Sequence, residues 1–255
     1  MKLSEKFKEK KQFIPYLTCG FPTKAKTKEV IKKFLDEGVE IIEIGIPFSD
    51  PVADGPTIQY SSFIALQNKI TIEDVFEVVK DTIKYKEYAA VVMTYLNPVV
   101  VYGVEKFFEK AKKVGVKGVI FADAIVEEKD IFYGLAKSKE IDCIFLLSPT
   151  TSFDRRKLIY EYSDGFIYVV TVTGTTGVRK VLPKDFYSFI KKIRKETKKP
   201  ICAGFGISTP KQVLPILEYI DGFIVGSAIV DKLKQEDFDG LLNLVKNFVK
   251  ITENK

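Results

Sequence analysis

Ile41-Ile-Glu-Ile-Gly-Ile-Pro-Phe-Ser-Asp-Pro-Val-Ala-Asp-Gly-Pro-Thr-Ile-Gln59 sets the frame for the rest of the chain. Its first six residues have the composition of a buried strand, with Ile at positions 41, 42, 44 and 46. Strand side chains alternate, so Ile42, Ile44 and Ile46 share one face and Ile41, Glu43 and Gly45 the other. A carboxylate inside such a strand needs a partner or a proton. Glu43 is therefore either a structural residue paired with a Lys or with backbone amides, or a general acid–base group in a poorly hydrated pocket. Gly45 leaves space beside it, which suits a ligand better than a packed core. After the strand comes a polar loop stiffened by Pro47, Pro51 and Pro56, with Asp50 and Asp54 as its acids. Loops past the carboxyl ends of strands are where parallel α/β proteins place their chemistry. Asp54 either shapes a turn or joins Glu43 in acid–base work.

Outward from this stretch the chain alternates. Strands are predicted at Phe13–Thr18, Ile41–Ile46, Ala90–Tyr95, Gly118–Ala122, Asp142–Leu147, Gly165–Val170, Pro200–Ala203 and Gly222–Val225. Helices are predicted at Lys24–Asp36, Tyr60–Gln67, Thr71–Lys86, Val104–Val114, Glu127–Ser138, Asp185–Glu196, Pro210–Tyr219 and Asp237–Ile251. Pro215 bends or shortens the one it interrupts, and Leu96-Asn-Pro98 reads as a turn. Eight β/α units without a linker point to a (β/α)8 TIM barrel, one domain over residues 1–255 with a short N-terminal helix. A doubly wound open sheet is the alternative, but no Gly-x-Gly-x-x-Gly follows the first strand.

The 255 residues are 46% hydrophobic and 29% charged, enough apolar content for one large core. No apolar run approaches the roughly 18 residues of a membrane span. The N-terminus is charged and lacks a secretory apolar core, so a cytoplasmic protein is expected. Histidine is absent, which excludes a Ser-His-Asp triad, a Cys-His pair and a His-ligated metal. Cys19, Cys143 and Cys202 are widely spaced in apolar runs and read as buried thiols, not as a metal or disulfide set. The net charge of +6 comes from Lys interleaved with Glu on helix-like stretches, a solvated surface and not a nucleic-acid patch.

Glycine turns follow the last three strands: Gly174 with Gly177, Gly204 with Gly206, and Gly226-Ser227. They are either plain turns or the phosphate site that barrels often build after strands seven and eight, with a helix starting near Ser227 aiming its amides at the anion. The Gly- and Thr-rich loop Thr171–Arg179 is either a closing lid or a fixed loop.

Glu43, the Pro47-Phe-Ser-Asp-Pro-x-Ala-Asp-Gly-Pro-x-Ile-Gln59 motif and the glycine turns together resemble the α subunit of tryptophan synthase. So do Pro15-Tyr-Leu-Thr-x-Gly20, Met93-x-Tyr-x-Asn-Pro98, Pro149-Thr-Thr151, Val172-Thr-Gly-x-Thr-Gly177, Gly204-Phe-Gly-Ile207 and Gly226-Ser-Ala-Ile-Val230. The resemblance spans almost the whole chain. It implies a lyase that splits indole-3-glycerol phosphate into indole and glyceraldehyde 3-phosphate by a retro-aldol step. It makes Glu43 the acid that protonates the indole ring and Asp54 the carboxylate that holds the indole N–H. It places phosphate at Gly177, Phe205, Gly206, Gly226 and Ser227. Tyr16, Ile58, Met93, Tyr95, Ala122, Tyr168 and Thr176 fall around the indole pocket, and Asp123 beside the lid. It further implies a β subunit carrying pyridoxal phosphate, an αββα complex, and no cofactor or metal in this chain. The Asp50 loop and the Asn97-Pro98 turn match surfaces that face β. Where many members have Pro-Asp-Leu-Pro, this chain has Ala122-Asp-Ala-Ile125, and Lys69 stands where Gly often ends a helix.

Two competing functions are another phosphate-binding barrel enzyme and a ligand-binding partner without turnover. An indole-glycerol-phosphate synthase would use an inward Lys on a strand, and none of the eight predicted strands contains one. Intact Glu43 and Asp54 argue against the silent partner.

Overall fold

β-branched and aromatic runs pair side by side in the computed structural model, which describes residues 3–170, 184–204 and 206–253. The strands are β1 (Gln12–Thr18), β2 (Ile41–Gly45), β3 (Ala89–Thr94), β4 (Val116–Phe121), β5 (Asp142–Ile144), β6 (Leu146–Leu147), β7 (Ile167–Val170), β8 (Ile201–Gly204) and β9 (Gly222–Val225). The helices are α1 (Lys24–Asp36), α2 (Pro56–Gln67), α3 (Ile72–Tyr85), α4 (Leu96–Tyr102), α5 (Val104–Val114) and α6 (Tyr133–Ser138). They continue with α7 (Phe153–Tyr162), α8 (Lys184–Glu196), α9 (Pro210–Val213), α10 (Ser227–Lys234) and α11 (Phe238–Glu253). Short 3-10 turns cover Leu3–Phe7, Val126–Ile131 and Leu214–Tyr219.

The sheet order is β5-β4-β3-β2-β1-β9-β8-β7-β6, all parallel. The first and last strands pair, and the ring closes through the middle of the chain. The predicted fifth strand is split at Phe145. Its N–H turns away to Ser163 Oγ at 3.3 Å, while its carbonyl accepts from Tyr168 N–H at 3.3 Å. β5 therefore pairs with β4, β6 with β7, and eight predicted strands become nine ladder segments around one barrel.

Helix ends follow their capping chemistry. Thr71 and Asp74 form a capping box on α3, Thr23 caps α1, and Gly115 ends α5 in the left-handed region. Several predicted boundaries move. α2 begins at Pro56, so the polar loop is shorter than its motif. Leu96-Asn-Pro98 is the first turn of α4, where a proline costs no helix hydrogen bond. Glu127–Ser138 is a 3-10 turn followed by α6, and Pro215 ends α9 early. Lys117 lies in β4, against the expectation of strands free of Lys. It lines a polar groove with Lys112, Lys137 and Asp142, at the amino end of the barrel and away from the mouth.

Candidate active site

At the carboxyl end of the barrel a cavity of about 380 Å³, partly open to solvent, is lined by Tyr16, Glu43, Asp54, Ile58, Met93, Tyr168, Gly206, Ile224, Gly226 and Ser227. Nine of these ten were expected from the sequence; Ile224 was not. It lies two residues before Gly226 on β9, and strand alternation alone could have placed it there.

Glu43 sits mid-strand in β2, opposite Tyr16 of β1 and Val91 of β3. It is 1% exposed, and its Oε2 has no hydrogen-bond partner among the described residues. The structural alternative, a Glu held by a Lys or by amides, thus has no support here. Burial pushes its carboxyl up to about 8, with the Asp54 charge adding to the rise. Asp54 ends the loop, its N–H donating to the Pro51 carbonyl at 3.0 Å. Its own carbonyl accepts from Gln59 Nε2 at 2.8 Å, which ties it to the first turn of α2. Burial pushes Asp54 up to about 6, against a hydrogen bond from Tyr95 that pulls it down. The Tyr95 hydroxyl also accepts from Ala53 N–H at 3.1 Å, and its ring packs on Phe48 with centroids 5.2 Å apart. Tyr95 therefore stands behind Asp54 and does not line the cavity.

The space at Gly45 is not left for a ligand. A Cβ there would lie 2.2 Å from the Tyr16 hydroxyl, so Gly45 is the socket for that ring. Gly204 does the same for Tyr168, with a Cβ placed 2.4 Å from its hydroxyl. The glycine pattern was legible; the rings that fill it depend on strand register, which the sequence does not display.

Ser227 opens α10 directly after Gly226, both at the cavity wall. The helix presents free amides and the positive end of its dipole there. Ala122 and Asp123 lie outside this cavity, in a neighbouring one with Phe145 and Arg155. Asp123 Oδ1 accepts from Leu96 N–H at 2.8 Å and so caps α4. Thr176, Gly177 and Phe205, with the loop Thr171–Arg179, lie outside the described residues.

An acid kept neutral, a second carboxylate largely ionised at pH 7 and an anion-accepting helix start meet in one mouth. Proton transfer on a small phosphorylated compound is the chemistry such a mouth fits, which sets the protein among the acid–base barrel enzymes. Comparison with known proteins narrows this. Residues 3–254 match the family model described as tryptophan synthase alpha chain. The tryptophan synthase alpha chain of Petrotoga mobilis is 39% identical over 98% of this chain and 97% of its own. In the structure of the tryptophan synthase α2β2 complex from Pyrococcus furiosus, the matching chain has a TM-score of 0.88 and 36% identity, over 94% of this chain and 99% of that one. A Mycobacterium tuberculosis tryptophan synthase structure gives a TM-score of 0.90 at 31% identity, over 96% of both chains. The chain belongs to the tryptophan synthase alpha chain family. Membership makes it a lyase of tryptophan biosynthesis.

Proposed function

We propose that this chain cleaves indole-3-glycerol phosphate with Glu43 as the proton carrier and Asp54 as the charge-stabilising group. The observation that carries the proposal is the buried, unpartnered Glu43 Oε2 in the same cavity as Asp54 and Ser227. At pH 7 Glu43 holds a proton it can give to the ring carbon bearing the side chain. The ring nitrogen then becomes cationic, and ionised Asp54 accepts its N–H. The bond to the glycerol carbon breaks, its electron pair returning to the ring. The hydroxyl on that carbon becomes the aldehyde, and its proton goes to Glu43, which restores the acid. Indole and glyceraldehyde 3-phosphate leave with atoms and charge balanced.

Gly206, Gly226 and Ser227 take the phosphate, with Gly177 and Phe205 assigned to the same role. Ile58, Met93 and Tyr168 wall the ring, with Tyr16 beside them and Tyr95 behind Asp54; Thr176 is assigned to the same pocket, and Ala122 stays in the neighbouring cavity. Asp123 steadies the lid loop. The steps above use carboxyl groups and amides alone, so we assign no cofactor to this chain; pyridoxal phosphate belongs to the β subunit. Exposed Val52, Val100 and Val101, on the Asp50 loop and α4, support docking of that β subunit in an αββα complex. Residues 1–255 are taken as one domain, in keeping with one continuous sheet and core. Among the described residues no helix is long and apolar enough to cross a membrane, and we assign the protein to the cytoplasm.

The test is indole release from indole-3-glycerol phosphate by the wild type, Glu43→Gln and Asp54→Asn, each with and without a β subunit. Release that rises with β and collapses in both variants supports the assignment. Tight binding without indole in any mixture would leave only the binding-partner reading.

A further inference from the structure

One residue of the cavity wall carries a polar atom that the two carboxylates do not account for. Tyr16 faces Glu43 across the β1–β2 ladder, and its hydroxyl lies over Gly45. The hydroxyl protons around it have one consistent arrangement. Ser61 Oγ donates to the Ile58 carbonyl at 2.8 Å, and a carbonyl can only accept. The 2.6 Å contact between the Ser61 and Thr18 hydroxyls must then use the Thr18 proton. The 3.2 Å contact between Thr18 and Tyr16 must in turn use the Tyr16 proton. The relay runs one way, from Tyr16 through Thr18 and Ser61 to the Ile58 carbonyl. Its buried start leaves the Tyr16 oxygen with acceptor capacity only, on a side chain that lines the cavity.

Tyr16 also touches the opposite end of the site. A Cβ on Gly226 would meet Tyr16 Cδ1 at 3.3 Å and Cβ at 3.4 Å. The side chain thus spans the distance from the acid to the anion turn. A ligand with phosphate at Gly226-Ser227 and its reacting carbon at Glu43 lays the chain between them along this ring.

We propose that the Tyr16 oxygen, locked as an acceptor by the relay, receives a hydrogen bond from a hydroxyl on the three-carbon chain of the substrate. Thr18 and Ser61 are the positioning residues that hold it so. The inference rests on the placement of Glu43 and the anion turn proposed above. Burial and the nearby Asp54 keep the phenol protonated, so Tyr16 orients the substrate and moves no proton.

The test compares two ligands. One is indole-3-glycerol phosphate, read as kcat/KM for indole release. The other is a phosphorylated indole analogue whose three-carbon chain carries no hydroxyl, read as Kd. Tyr16→Phe is expected to lower kcat/KM by about 5–20-fold and to leave the analogue Kd within about twofold. Thr18→Val frees the Tyr16 proton to turn into the cavity and lowers kcat/KM by about 3–10-fold. Thr18→Ser keeps the relay and returns kcat/KM to within about twofold of wild type. Equal losses for both ligands in Tyr16→Phe, or no loss for either, would overturn the proposal. So would a Thr18→Ser enzyme as impaired as Thr18→Val. Should Thr18→Val not fold, the two-ligand comparison in Tyr16→Phe decides alone. A wild type that releases no indole removes the lyase assignment itself; normal release without ligand discrimination removes only the acceptor.

Discussion

Glu43 and Glu196 are the same side chain, both drawn out of water, and the molecule treats them in opposite ways. Glu196, at the end of α8, accepts two hydrogen bonds from Arg156 at 2.8 and 2.9 Å and a third from Tyr160 at 2.7 Å. Its carboxyl is 14% exposed and is held below the usual carboxylate range, chiefly by the Arg156 hydrogen bonds. Glu43 meets no cation among the described residues, and burial pushes its carboxyl up to about 8. Ion pairing is thus the rule where a carboxylate ties helices together. Its absence at the barrel mouth is what the proton delivery proposed for Glu43 requires.

Removing Glu43 gives the largest effect. Glu43→Gln should reduce indole release by roughly 10²–10⁴-fold, measured in single turnovers. It should also stabilise the fold at alkaline pH. The carboxyl rises from 4.5 in the unfolded chain to about 8 in the folded one, so the native state binds the extra proton between those values. Wild-type stability therefore falls as pH rises from about 4.5 to 8. The variant lacks that slope, which denaturant titrations at pH 5 and pH 8 would reveal.

Supplying the missing cation would break the contrast directly. Met93 lines the cavity on β3. Met93→Lys should ionise Glu43 at neutral pH and lower kcat by about 100-fold, with the alkaline limb of the pH–rate curve moving down. If activity and limb both persist, burial without a partner is not what makes Glu43 an acid.

The reverse change acts on stability instead of rate. Arg156→Met leaves Glu196 without its cation and should cost about 3–5 kcal/mol in urea unfolding, with kcat unchanged in the folded fraction.

The wild-type pH dependence sharpens the same point at smaller scale. kcat/KM needs ionised Asp54 and protonated Glu43, so it should be bell-shaped with limbs near 6 and 8. Asp54→Asn should remove the acid limb from the residual activity. The smallest effect belongs to an exposed pair. Lys129 meets Asp130 at 2.8 Å, with the Asp side chain 87% exposed. Lys129→Ala should leave the urea unfolding midpoint unchanged.

Much of this contrast was legible in the sequence. A Glu flanked by Ile on both sides announces an awkward carboxylate, and the local pattern of strand, loop and glycine turn announces a barrel mouth. What was not legible depends on partners distant in the chain. The break at Phe145 exists because Ser163 takes its N–H. The Tyr16 ring over Gly45 depends on register between two strands. The split of α6 from the preceding 3-10 turn, and the reach of α4 through Pro98, are tertiary choices that local propensity cannot rank. Arg156, the cation of the paired site, carries no local mark of its role: Glu196 lies forty residues on.

The seam at Phe145 has a consequence for how the chemistry is divided. Up to that residue the chain contributes β1 to β5, and with them Tyr16, Glu43 and Asp54. Beyond it come β6 to β9, and with them Tyr168, Gly206, Gly226 and Ser227. In the proposed reaction one half-ring supplies both carboxylates and the other the glycine turns assigned to the phosphate. Away from the seam, the two are joined edge to edge by the ladder between β1 and β9 alone. Alignment of the two half-rings therefore runs through those four residue pairs, from Gln12–Gly222 to Pro15–Val225, backed by α10 packed on α2 and by the Thr57–Asp231 hydrogen bond, on the far side of the ring from the seam.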